Sequence, residues 1–133
     1  MQEVIKILAE NKVGVLSTVD EGKPRVRPFE FQFEHDDKYY FCTANTKDVY
    51  KQLVAMPFVE FTTTSKDYVT VRLRGEVKFY EGKVIKERII NNNDLVRSIY
   101  QSADNPVFEV FYIEHGEAII FDFSGQPPHC FSF

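Results

Sequence analysis

The stretch "KPRVRPFEFQFEHDDKYYFC", Lys23 to Cys42, limits the possible folds more than any other part of the chain. Its odd positions 25, 27, 29, 31 and 33 are Arg, Arg, Phe, Phe and Phe, while the even ones are mostly polar or small, the period of a strand whose one face changes character midway. His35, Asp36 and Asp37 are turn residues, and Lys38 to Cys42 is a second β-prone run. The pattern predicts an antiparallel hairpin and sets the Arg25 end of its first strand beside Thr43.

Comparable patterns recur along the chain. Val13 to Val19 and "PFVEFTTT" read as strands, and Tyr68 to Tyr80 as a long one in which Val69, Val71, Leu73, Val77 and Phe79 alternate with polar residues that include Thr70, Arg72 and Arg74. "VFEVFYIEHGEAIIFDF" reads as a hairpin turning at His115 and Gly116, followed by a short strand within Pro128 to Phe133. Helical spacing appears at Val4, Ile5, Leu8 and Ala9, at Val49, Tyr50, Leu53 and Val54, and in two short segments near Val84 to Ile90 and Leu95 to Tyr100. Six to eight strands with helices between them predict a mainly β protein, an antiparallel barrel with helical additions, in one domain over residues 1–133.

Composition narrows the function. Sixteen basic against twenty acidic residues give a formal charge of −4, the wrong sign for neutralising nucleic-acid phosphates. Two cysteines, Cys42 and Cys130, and an N-terminus unlike a signal peptide lead us to expect a reduced, cytoplasmic setting. No apolar run approaches the length of a membrane span, so a soluble protein is expected. Thirteen Phe and seven Tyr must fill a core or cover a ligand or partner. Neither G-x-G-x-x-G nor a Walker sequence occurs, the three histidines lack metal-ligand spacing, and no serine has a nucleophile-elbow context.

One joint points to a ligand. In "FCTANTKDVYKQL", Phe41 to Leu53, a strand passes into a helix through a short polar turn. Asn45 is the expected N-cap, with Asp48 completing a capping box, and Lys47 and Lys51 share a helix face. Outward amides, the positive helix end, the hydroxyls of Thr43 and Thr46 and two ammonium groups suit a phosphate. Arg25 and Arg27 are expected to approach the same place.

The opening helix, "GVLSTVDEGKPRVRPFEF", "YFCTANTKDVYKQLVAMPFVEF" and "VTVRLRGEVKF", in this order and spacing, resemble the FMN-binding split-barrel proteins related to pyridoxamine 5'-phosphate oxidase, in particular the small members related to nitroimidazole-resistance proteins. The resemblance implies a six-stranded split barrel, a homodimer, and FMN in a cleft at the subunit interface. Carried over by position, it implies that Arg25, Val26, Arg27 and Pro28 border the flavin ring, with arginine reaching the phosphate or the pyrimidine edge. Cys42 and Thr43 form the second segment, Asn45, Thr46, Lys47 and Lys51 the phosphate turn, and Thr70 with Arg72 the contact to the other subunit.

The chain departs from the oxidase itself. Counting back from Pro57, the oxidase's Arg-Lys phosphate pair falls on Asp48 and Val49, so Lys47 and Lys51 must supply that charge. Its substrate-binding lysine is Glu30 here, and the chain closes with "GQPPHCFSF" in place of a basic segment. A phosphorylated vitamin is therefore not the expected substrate. The resemblance implies an FMN-dependent oxidoreductase acting on a small molecule, with nitroaromatic reduction as one candidate activity and a nicotinamide or other small reductant as electron source. The rivals are a flavin carrier or sensor without turnover, a barrel that binds haem or a deazaflavin, and a protein-association module.

Overall fold

The computed structural model describes residues 1–133. In chain order the elements are α1 (Gln2–Glu10), β1 (Val13–Asp20), β2 (Lys23–His35), β3 (Lys38–Ala44), α2 (Asp48–Ala55), β4 (Phe58–Thr64), β5 (Thr70–Tyr80), α3 (Val84–Asn92), α4 (Asp94–Tyr100), β6 (Phe108–Ile113), β7 (Glu117–Phe121) and β8 (His129–Ser132). The strands run β4-β1-β2-β3-β6-β5-β7-β8, and a further β4–β5 pairing closes the first six into an antiparallel barrel. The fold is thus a mainly β, six-stranded barrel with two added strands and four helices, and no helix is long and apolar enough to cross a membrane.

The β2–β3 hairpin forms as the alternation requires. Asp36 and Asp37 both take positive φ, 52° and 58°, the hand that matches strand twist in a two-residue turn. The barrel holds the aromatic load: Phe31, Phe41, Phe61 and Phe111 are fully buried, and Phe41 stacks on Phe111 at 5.5 Å between ring centres. Val4 and Leu8 of α1 and Val49 and Leu53 of α2 complete this core. A second cluster lies where α3 and α4 cover the outer face of β3 and β6, joining Ile85, Ile89 and Val96 to Tyr40, Phe108 and Val110.

Two expectations need correction. β6 and β7 do not pair as a hairpin. Both lie along one edge of β5, β7 on Thr70–Arg74 and β6 on Val77–Tyr80, because β5 is long enough to serve two strands in succession. The chain bends between them at His115, φ 54°, and Gly116. Secondly, the β2–β3 ladder ends at Phe31 and Phe41, so Arg25 does not come beside Thr43 through strand pairing.

Candidate functional site at the split of the barrel

Where β2 and β3 part, the barrel wall opens. Lys23–Glu30 of β2 pairs only with β1, and Cys42–Ala44 of β3 pairs only with β6, which leaves two unpaired backbone edges facing one gap. Phe31 donates its N–H to Lys12 O on the β1 side at 2.8 Å. Amides alternate in direction along a strand, so those of odd residues point to β1 and those of even residues to the gap. Pro24 and Pro28, which have no N–H, are tolerated on that edge, and Val26 is the residue between them that offers both N–H and C=O.

Thr43 stands just past the end of the β2–β3 ladder. It is 2% exposed and its hydroxyl has no hydrogen-bond partner in the chain. Buried hydroxyls are seldom left unpaired, so this one suits a ligand's polar group. Cys42 lies on the opposite face of β3, and burial, reinforced by Glu30 and opposed by Lys47, pushes its thiol from 9.0 up to about 12. It stays protonated at neutral pH and is not a thiolate nucleophile.

The α2 start follows at once. Its N-cap is Lys47, in extended conformation, and no side chain caps the helix. The expectation of Asn45 as N-cap is therefore corrected: Asn45 Nδ2 donates to Pro106 O at 2.9 Å and Glu109 Oε1 at 3.0 Å, so the side chain is held by the β6 approach. Asp48 completes no capping box. The first amides of α2 are left without an intrahelical acceptor, beside the exposed Thr46, Lys47 and Lys51. Neither lysine enters an ion pair.

The two arginines lie on the face of β2 opposite Val26 and Pro28, and Arg27 reaches across to α2. Arg27 donates from Nη1 to Thr18 Oγ1 at 2.8 Å and Leu16 O at 3.2 Å, and from Nη2 to Gln52 Oε1 at 2.8 Å. Thr18 Oγ1 donates to the same Gln52 oxygen at 2.6 Å. Burial lowers the Arg27 pKa. Arg25 is exposed, 3.5 Å from Asp20. Thr18 and Gln52 were not legible as site residues, although Thr18 shares the inward face of its strand with Leu16 and so had to find a polar partner.

Val26, Pro28 and Glu30 project from the other face of β2. The registers place them on one outward surface with Val13, Val15, Phe58, Thr70 and Arg72. Within one chain, then, Val26, Pro28, Thr43, Thr46, Lys47 and Lys51 border the split or its helix, while Thr70 and Arg72 lie across the outward sheet from it. Arg72 sits 3.5 Å from Glu60 and packs against the Phe121 ring. FMN fits this donor set: an open strand edge for a ring that both donates and accepts, an orphaned buried hydroxyl, and an uncapped helix end with free lysines for a phosphate.

Comparison with known proteins bears on the family and the fold. No curated protein matches the sequence. Among solved structures, a NimC/NimA family protein from Clostridium acetobutylicum is 34% identical, with a TM-score of 0.90, covering 100% of this chain and 92% of that one. A pyridoxamine 5'-phosphate oxidase-related, FMN-binding protein from Nostoc punctiforme superimposes with a TM-score of 0.78 at 14% identity, covering 97% and 87%. A heme-binding protein from Mycobacterium smegmatis gives 0.74 at 16%, covering 98% of this chain and 56% of that one. The last two are likenesses of fold. The family model for pyridoxamine 5'-phosphate oxidase matches residues 1–119, and on that match the chain belongs to the pyridoxamine 5'-phosphate oxidase family.

Proposed function

We propose that the protein is an FMN-binding oxidoreductase that acts on a small molecule, with nitroaromatic compounds as the first candidates, and that it works as a homodimer with FMN at the subunit interface. The observation that carries this reading is the coincidence at the split of an unpaired strand edge, an unpartnered buried hydroxyl and an uncapped, lysine-flanked helix start. Bound FMN supplies the electron transfer. The chain supplies position. Val26 offers N–H and C=O to the pyrimidine edge of the ring, Thr43 offers its hydroxyl, and the first amides of α2 with Lys47 and Lys51 hold the phosphate. Arg27 ties β2 and β1 to α2 through Gln52 and so fixes the spacing between the ring and phosphate subsites.

The dimer is supported by the outward surface. Val13 is 67% exposed, Val26 68% and Phe58 53%, on one sheet face that also carries Thr70 and Arg72. Exposed valines and a phenylalanine set among Ser17, Glu60 and Thr62 suit an association surface, and a second copy seated there would bring its own Thr70 and Arg72 toward the flavin. A haem-binding barrel is the alternative that the Mycobacterium smegmatis fold raises. Haem iron takes an axial side chain, commonly His, yet His35 and His115 are at turns and His129 is on β8, none on the strand edges or helix start at the split.

The absorption spectrum of freshly purified protein tests the reading. Flavin bands, or their appearance on adding FMN, are expected. A Soret band, or no chromophore even with excess FMN, would overturn it.

A further inference from the structure

Glu30 is the one carboxylate where β2 passes from the open edge to the β3 ladder, and it projects from the same face as Val26 and Pro28. Its Oε1 accepts from two neutral amides, Asn93 Nδ2 and Gln32 Nε2, the latter at 3.1 Å. Asn93 is itself fixed. Its Oδ1 accepts from the Val96 N–H at 3.1 Å as the N-cap of α4, and its Nδ2 also reaches Gln32 Oε1 at 3.1 Å. Gln32 is 6% exposed, so the far end of the network is anchored in the protein. No cation pairs with Glu30. The result is a carboxylate held in one orientation whose charge no cation neutralises, and whose second oxygen makes no hydrogen bond within the chain.

Satisfying Gln32 and Asn93 does not by itself require a charge, since a glutamine side-chain oxygen accepts the same bonds, though more weakly. At the end of the open β2 edge, a preoriented negative charge attracts a cation or a strong N–H donor and repels anions, and its effect grows as bound ligands exclude water. We propose that Glu30 sets the charge selection of the cleft, so that the substrate reaching the flavin carries a cationic or N–H-donating group and phosphorylated or carboxylate compounds are rejected. This rests on the flavin reading above and adds a substrate class to it.

The test uses full-length protein saturated with FMN at low ionic strength. Two probes of similar shape and opposite charge, benzylamine and benzoate, are titrated while the flavin absorbance is followed, in the parent and in Glu30→Gln. FMN affinity is measured first on the same samples. A charge-assisted hydrogen bond contributes about 1.5–3 kcal/mol, so the parent should bind benzylamine about tenfold or more tightly than benzoate. In Glu30→Gln the preference should fall to about unity, because the amide keeps the network and loses the charge. An FMN-loaded parent that binds neither probe or shows no preference, or a variant that keeps the preference, overturns the selection and leaves the flavin reading standing. A parent that takes up no FMN overturns both.

Discussion

The Arg27 guanidinium reaches acceptors on β1 and α2, whereas that of Arg25 meets only Asp20 and the Pro24 carbonyl at the surface. Their substitutions should separate accordingly. Arg27→Gln removes a charged donor from Thr18, which is 1% exposed, and from Gln52, and should cost about 1–3 kcal/mol of stability. The expected signature is a lower urea midpoint at unchanged m-value. Arg25→Gln should stay within about 0.5 kcal/mol, as exposed ion pairs contribute little. Equal losses in the two variants would contradict the assignment. Alternation correctly put both arginines on one face, but it could not tell them apart. The partners of Arg27 lie 9 and 25 residues away in sequence, and only the closing of β1 and α2 around β2 brings them together.

Elements were legible where a local signal sufficed. The β2–β3 hairpin carries its own turn chemistry at Asp36 and Asp37, and α1, α2 and α4 follow from apolar spacing. Two local signals were outvoted by tertiary contacts. Asn45 has the chemistry of an N-cap, yet its backbone N–H bonds Val107 O at 2.9 Å and its side chain follows, which moves the helix start to Lys47. His115-Gly116 has the look of a hairpin turn, but β5 draws β6 and β7 onto the same edge. That corner is tight. A Cβ on Gly116 would lie 2.4 Å from Arg74 O, a backbone atom of the strand being crossed. Gly116→Ala should therefore destabilise the protein by about 1–3 kcal/mol, the usual range for overpacking. Thermal unfolding checks it, and a melting temperature equal to the parent's would show that the corner can relax.

At the scale of the whole molecule, the barrel closes around its aromatic core and opens where β2 and β3 part. The fold was legible because strand period and hairpin order are written locally. The site was legible only in outline, because its ingredients are strand edges and unmet hydrogen bonds that no residue pattern displays. If FMN is shared between two copies, ligand and dimer are linked: sedimentation at falling protein concentration should show FMN shifting the population toward the dimer, and a monomer that retains FMN would remove the interface from the account. At the split, the α2 end is the proposed phosphate subsite. It is tested most directly by titrating apoprotein with FMN and riboflavin in parallel, in the parent and in Lys47→Ala. The parent should bind FMN about tenfold or more tightly than riboflavin, and Lys47→Ala should lose about 1–3 kcal/mol toward FMN alone. Equal affinity of the parent for the two flavins would contradict it.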